Sequence, residues 1–383
     1  MSDVSRQFDV AELEELVANR AAMIDVRSEG EWSKSEVPGA LNLPILNSNE
    51  RQRVGTYYKQ RGQRAAVELG YKLVSGEVKR QRVAQWCIAV ERDRCQLIYC
   101  ARGGLRSKIA QEWLACEGIA LPRLSGGYKN IRSLFLRRIE AFGTNFVPLV
   151  VAGRTGSGKT KLLKELAALY AVIDLEGLAK HRGSAFGGVS DPQPAQASFE
   201  NLVARELIAL RSRSKSVVLL ESESRCIGSV HLPEELYVAM RNAPRVVLEE
   251  SLETRIDNIV SDYVLEPLRW WITEPLEMRF RALEEFLTSA VLRLKKRLGG
   301  ERAAKCRKAI LLACTEHKET GKTSAHREWI GNLLRWYYDP LYEFHLKRGV
   351  SSTLYKGNCE AIRAALPAIV GDVESRVRER PAA

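Results

Sequence analysis

The chain has 383 residues, enough for two ordinary domains, and its 45% hydrophobic and 28% charged residues describe a folded globular protein rather than a disordered one. No run reaches the roughly 18 apolar residues that span a bilayer, and the start, MSDVSRQFDVAELEEL, carries early acids and no apolar leader segment. Membrane insertion and export are therefore not expected, and the eight scattered cysteines, with no CxxC pair, read as reduced thiols of a cytoplasmic protein. The net charge of +12 favours a polyanionic partner, because phosphate contacts release counterions, although charge alone fits many basic proteins that bind no nucleic acid.

In chain order, residues 8–21 read as an amphipathic helix and residues 23–27 as a short buried strand. The stretch EGEWSKSEVPGALNLP reads as a loop, and residues 64–92 as long helical stretches broken near Ser75-Gly76. QLIYC at 96–100 is a strand that runs into the glycine-rich ARGGLRS, and 107–118 has helical spacing. A boundary is expected near 140–147, giving domains 1–140 and 146–383. The second begins with a strand, FVPLVVAG, a glycine-rich loop and a helix. SVVLLES at 216–222 and PRVVLEE at 244–250 are further strands, and from about 252 the pattern is almost entirely helical. Two α/β units in series, the second with a helical C-terminal region, are the predicted fold class.

Gly153, Arg154, Thr155, Gly156, Ser157, Gly158, Lys159 and Thr160 match the P-loop pattern between a strand and a helix. Glycines there let backbone N–H groups close on phosphate oxygens, Lys159 meets the outer phosphates, and Thr160 is placed to hold Mg²⁺. A chance glycine-rich turn would not carry this context. Glu221 and Glu223, at the end of VVLLESES, are candidate partners of Mg²⁺, with Thr160 and Glu221 its ligands if the metal is used; the bland alternative is a pair of solvated acids at a strand exit. Most nucleotide hydrolases of this class carry Asp there.

The second candidate is Cys100, followed by Ala101, Arg102, Gly103, Gly104, Leu105, Arg106 and Ser107. A thiol at a strand end, turning into a helix N-terminus, sits among N–H donors that stabilise a thiolate and bind an oxyanion, and Arg102 and Arg106 add charge. A buried structural cysteine is the competing reading, and it is the one given to Cys87, Cys116, Cys226, Cys306, Cys314 and Cys359. Softer signals are the polar loop with His181, Arg182 and Ser184, able to reach the phosphate site, and the basic run Arg293, Lys295, Lys296 and Arg297 with Arg335, candidate RNA-backbone contacts or simply solvated helix faces. The aromatic clusters around Trp270 and Trp336 fit a core at least as well as base stacking.

The order of motifs resembles the tRNA 2-selenouridine synthases. DVRSEGEW at 25–32, the cysteine loop at 100–107 and SGGYK at 125–129 look like their rhodanese half. GRTGSGKT, HRGSAFG at 181–187, ESESRCIG at 221–228 and YYDPLY at 337–342 look like their P-loop half. Ala101 stands where the family typically has Trp.

The resemblance implies a rhodanese-like α/β domain followed by a P-loop NTPase-like α/β domain. It also implies a tRNA with wobble 2-thiouridine as partner, and selenophosphate and geranyl diphosphate as co-substrates, with no tightly bound cofactor. Cys100 would then be the catalytic thiol, residues 102–107 the selenophosphate loop and residues 153–160 the diphosphate cradle. The alternatives are a plain sulfurtransferase or cysteine phosphatase, which leaves the second half idle, and an RNA-binding P-loop ATPase or kinase with a rhodanese-type recruitment or sulfurtransferase module.

Overall fold

A computed structural model of the protein describes residues 7–213, 216–348 and 351–378. It divides into two compact units. One is the chain up to Ala141 together with Pro194–Ser214; the other is Phe142–Gln193 with the chain from Lys215 on.

The first unit is built on strands β1 (Gln7–Phe8), β2 (Met23–Asp25), β3 (Ala40–Asn42), β4 (Leu97–Tyr99) and β5 (Arg123–Leu124). They form one parallel sheet in the order β1-β5-β4-β2-β3. Met23, Ile24, Leu97, Ile98 and Tyr99 are buried, as expected of short apolar strands covered on both faces. The helix Val10–Ala18 starts on a capping box, with Asp9 accepting from the Ala11 and Glu12 amides and Glu12 returning to the Asp9 amide.

The helix Gln196–Ser212 lies, in sequence, among the strands of the second unit, yet it packs on Val10–Ala18 and Tyr128–Glu140 of the first. Phe199, Val203 and Leu207 bury its apolar face. Asn201 accepts from Arg132 at 3.0 Å and donates to the Glu36 carbonyl at 2.7 Å.

Two elements depart from the sequence reading here. The helical stretch begins not at 64 but at Ser48, running Ser48–Leu73 and then Gly76–Glu91. Only Ala66 of the first helix is buried, so no apolar stripe announced it. The supposed loop after β2 holds the short helix Glu29–Trp32 and strand β3.

The second unit contains β6 (Val147–Gly153), β7 (Val172–Ile173), β8 (Val217–Glu221), the hairpin β9 (Cys226–Ile227) and β10 (Val230–His231), β11 (Arg245–Leu248) and β12 (Thr353–Gly357). Its main sheet is parallel in the order β12-β11-β6-β8-β7. Strand β12 falls inside the region read as helical; TLYKG is short and only half-buried at this edge, too polar to read as a strand.

The helices Leu276–Leu298, Gly300–Thr320 and His326–Leu333 pack around a second apolar core that includes Leu283, Leu287, Ile310 and Trp329. Two π-helical turns, Ser261–Leu265 and Leu334–Tyr338, border it. Among the described residues no helix is long and apolar enough to cross a membrane.

Candidate active sites

Parallel pairing brings the C-terminal ends of neighbouring strands to one edge, where loops can converge. In the first unit three loops meet there. Cys100 follows β4, the Asp25–Arg27 stretch ends β2, and the Ser125–Tyr128 turn follows β5. The Tyr128 amide donates to the Cys100 carbonyl at 2.8 Å and the Lys129 amide to that of Ala101 at 3.1 Å. Gly127, at φ 56°, permits this closeness: a Cβ there would stand 2.1 Å from the Cys100 carbonyl oxygen.

The Cys100 side chain is buried, with Sγ 3.2 Å from the Ser107 hydroxyl. Its loop enters the helix Leu105–Cys116, whose N-cap is Gly104. Arg106 is held by two contacts to Glu31, at 2.5 and 3.0 Å, and Arg51 approaches the same carboxylate at 3.7 Å. Burial opposes ionisation of Glu31, but Arg106, then the Ser28 amide and Arg51, outweigh it and hold the carboxyl at about 2. Arg102 is exposed, free of any ion pair among the described residues. Arg27 is buried against Asp25 and stacks 4.0 Å from the Tyr128 ring centre, so the DVR motif braces the turn behind the cysteine. The loop gathers a buried thiol, a buried hydroxyl and the exposed Arg102 at a helix N-terminus, a setting suited to a tetrahedral anion that reaches the backbone amides.

In the second unit the P-loop leaves β6, and β8 pairs beside it with Val151 opposite Glu221. That register carries Glu221 to the loop. Lys159 Nζ donates to the Gly153 carbonyl at 3.0 Å and lies 3.8 Å from Glu221. The Thr160 hydroxyl is 3.0 Å from Glu221 and 3.2 Å from Glu176.

Glu176, Glu221 and Glu223 bring one carboxylate oxygen each within 4.8 Å of the others. Burial first, then the charges of Glu221 and Glu223, push Glu176 up to about 10. Burial and then Glu221 raise Glu223 to about 8, and burial raises Glu221 against the pull of Lys159. Three crowded acids beside a P-loop hydroxyl are a donor set of the hard-oxygen kind that fits Mg²⁺. Gly183 closes over them: a Cβ there would be 2.7 Å from Glu176 and 2.8 Å from Glu223.

Comparison with known proteins decides what these two sites belong to. A family model described as "tRNA 2-selenouridine synthase AAA domain" matches residues 146–370, and a rhodanese-like domain matches 9–134. Proteins named tRNA 2-selenouridine synthase are 39% identical in Nitrosomonas europaea, over 90% of this chain and 94% of that one, and 40% identical in Pseudomonas putida, over 94% and 99%. One from Azotobacter vinelandii is 40% identical over 94% and 96%. The chain belongs to the tRNA 2-selenouridine synthase family. It is an enzyme of that family, a rhodanese domain followed by a P-loop domain.

Within this synthase fold the remaining sequence candidates take different places. Arg182 pairs with Glu266 at 2.7 Å and donates to the Asp262 carbonyl at 2.7 Å, so it anchors its loop rather than facing the acids. Ser184 is 3.1 Å from the Tyr263 hydroxyl. Burial and then Arg293 lower the His181 imidazole below its ordinary value. Arg293 itself is engaged, donating to the Ala185 carbonyl at 2.7 Å, and Arg297 meets the Tyr337 hydroxyl at 3.2 Å. Lys295, Lys296 and Arg335 are exposed.

Sequence reasoning missed Glu176, which follows a weak two-residue strand, and Arg255, a buried arginine inside an unremarkable helix. Arg255 donates to the Thr155 carbonyl at 2.8 Å, and Asn258 to that of Gly156 at 2.9 Å. Cys226, expected to be structural, is exposed with Sγ 3.2 Å from His231 Nδ1, and Cys116 is also exposed.

Proposed function

We propose that this enzyme acts on tRNA carrying 2-thiouridine, or its 5-methylaminomethyl derivative, at the wobble position. It replaces sulfur by selenium through an S-geranyl intermediate, with geranyl diphosphate and selenophosphate as co-substrates. The observation that carries the reading is a small apolar cavity of about 20 Å³ beside the P-loop, closed to a hydrocarbon chain as it stands. Phe186, Ile259, Tyr263, Trp329 and Tyr338 line it, together with Thr155 of the P-loop itself. A diphosphate held at the P-loop would have its hydrocarbon chain next to this lining, in which aromatic and aliphatic faces outnumber the hydroxyls of Ser184, Tyr263 and Tyr338. The Tyr263 and Tyr338 rings must part to admit ten carbons; both stand on π-helical turns, a local irregularity common at functional sites.

In the first half-reaction the thiocarbonyl sulfur attacks C1 of the geranyl group, the C–O bond to diphosphate breaks, and N3 of the uracil ring releases its proton. Lys159 and the P-loop amides neutralise the leaving diphosphate. Thr160, Glu221, Glu176 and Glu223 would hold Mg²⁺, which supplies further charge neutralisation there.

In the second half-reaction selenium of selenophosphate attacks C2, and the C2–S bond breaks. Geranylthiol leaves with a proton, water takes the phosphoryl group as phosphate, and N3 is protonated again. Cys100, Arg102 and residues 103–107 serve this half, gathering the tetrahedral anion at the helix terminus. A free thiol at Cys100 requires a reducing compartment, hence the cytoplasm.

The test is mass spectrometry of nucleosides from 2-thiouridine tRNA incubated with the protein and both co-substrates, with calorimetry of geranyl diphosphate and ATP on the same preparation. S-geranyl and then selenouridine masses, with geranyl diphosphate bound more tightly than ATP, are expected. Tight ATP binding with RNA-stimulated hydrolysis, and no geranyl diphosphate binding, would replace this reading by the RNA-dependent ATPase.

A further inference from the structure

The helix Ser48–Leu73 has no counterpart in the chemistry described so far. It runs for 26 residues with a single fully buried side chain, Ala66; Val54 and Leu73 pack at the edge of the core, and packing explains none of the exposed stretch 58–64. Between Arg51 and Val67 it carries Arg51, Arg53, Lys59, Arg61 and Arg64 and no acid. Arg53, Lys59 and Arg61 have no ion pair among the described residues. Tyr58 is 56% exposed, an uncommon state for a large ring on a helix that packs against so little. The Arg61 guanidinium lies 5.1 Å from the centre of the Tyr57 ring. Near the middle, Gly62 (φ 79°, ψ −178°) breaks the helical path and leaves residues 58–64 exposed.

The N-terminal end of this helix is firmly tied. The Ser48 amide and hydroxyl both donate to Glu29, at 2.8 and 2.9 Å, and Glu50 takes two contacts from Arg82. Arg51 reaches Glu31, the same carboxylate that fixes Arg106 of the cysteine loop. The basic, tyrosine-bearing stretch therefore grows directly from the frame of the Cys100 site, stands exposed over residues 58–64, and returns to the core at Leu73 and Val74.

We propose that this helix is an RNA-docking surface: its cations track the phosphate backbone and Tyr58 stacks on an unpaired base. The proposal rests on the reading that the substrate is tRNA. Charge complementarity commits it to a polyanion, and the exposed ring among cations distinguishes single-stranded RNA from a merely acidic surface. Because the helix is rooted on Glu31, RNA held there is delivered to the unit that carries Cys100.

The test measures tRNA affinity over a series of salt concentrations for the wild type, for Lys59→Ala/Arg61→Ala/Arg64→Ala, and for Tyr58→Ala and Tyr58→Phe. All replaced side chains are exposed, so thermal midpoints should stay at the wild-type value, and a variant whose midpoint falls is replaced by its Gln or Leu equivalent. The triple variant should bind more weakly at low salt, with the slope of log affinity against log salt shallower by about 0.7–0.9 for each phosphate that is no longer neutralised. Tyr58→Ala should weaken binding by roughly fivefold or more, and Tyr58→Phe should restore it, since stacking needs the ring and not the hydroxyl.

Wild-type affinity and slope in the triple variant would overturn the proposal and leave the face to an acidic protein. Failure of Tyr58→Phe to rescue would overturn the stacking contact. If the wild type bound no tRNA at all, the tRNA reading itself would fall, a result separable from failure of the surface.

Discussion

Arg255 grips Asp339 with two N–H···O contacts, 3.0 and 2.5 Å long, while its Nε donates to the carbonyl of Thr155 inside the P-loop. The phosphate loop is thus set from behind by a pair that bridges distant stretches of sequence. Arg255 is 2% exposed, and a buried ion pair that loses one member leaves an uncompensated charge. Asp339→Ala should destabilise the protein by about 3–5 kcal/mol, measured by denaturant unfolding, and should weaken inorganic diphosphate binding in calorimetry. Asp339→Asn, which keeps an acceptor, should cost less on both counts. Equal stability of wild type and Asp339→Ala would show that the clamp does not hold the loop.

The division of labour between the two loops is open to a direct test. Cys100→Ser should abolish selenouridine while S-geranyl tRNA still accumulates, because the proposed scheme assigns Cys100 to the selenium half-reaction alone. Nucleoside mass spectrometry reads both products at once. Loss of both in a variant that still folds would mean that Cys100 serves the prenylation step as well.

The three glutamates at the P-loop should make stability depend on pH. A carboxyl whose value in the fold is raised stabilises fully only below its unfolded value, and that contribution is lost as pH climbs toward the folded value. For Glu223 and Glu176 the window runs from 4.5 to about 8 and about 10. Glu176→Gln should therefore gain on the wild type between pH 5.5 and 8.5 in thermal melts, by roughly 2–4 °C for each kcal/mol of proton-uptake cost removed. Mg²⁺ should narrow the gap by stabilising the wild type more than the variant, which keeps Thr160, Glu221 and Glu223 but lacks one carboxylate. A gap that does not change with pH would mean that the carboxylates are not competing for protons.

The apolar cleft makes a prediction about chain length. Phe186 stacks on Trp329 with ring centres 5.7 Å apart. Phe186→Leu should cost about 0.5–1.5 kcal/mol of that ring contact and widen the cleft. The kcat/KM ratio for a fifteen-carbon over a ten-carbon diphosphate should then rise, with KM for the shorter substrate increasing more than kcat falls. An unchanged ratio would remove the cleft from the path of the chain.

Much of the fold was legible because its signals are local. The apolar runs at Leu97–Tyr99 and Val147–Gly153 are buried on both faces, and each is followed by a glycine-bearing loop and a helix, so strand, loop and motif could be read together. What escaped lacks that coherence. Thr353–Gly357 is a half-polar edge strand whose identity comes from pairing with β11 across the fold. The helix from Ser48 shows no continuous apolar face because it fully buries only Ala66 and rests Val54 and Leu73 on the core edge. Glu176 and Arg255 acquire meaning only from what the chain brings next to them, an arrangement that no window of neighbouring residues contains.

The excursion of Pro194–Ser214 bears on how the protein is made and how it can be divided. The N-terminal unit lacks part of its own core until Gln196–Ser212 has left the ribosome, by which time the P-loop and its first strands are already synthesised. A fragment ending at Ala141 would leave the faces of Val10–Ala18 and Tyr128–Glu140 that this helix covers open to water. A fragment starting at Phe142 would carry Phe199, Val203 and Leu207 with nothing to bury them. The two units are joined by a chain that crosses from one to the other and back, so a single cut near residue 141 divides the sequence but not the units.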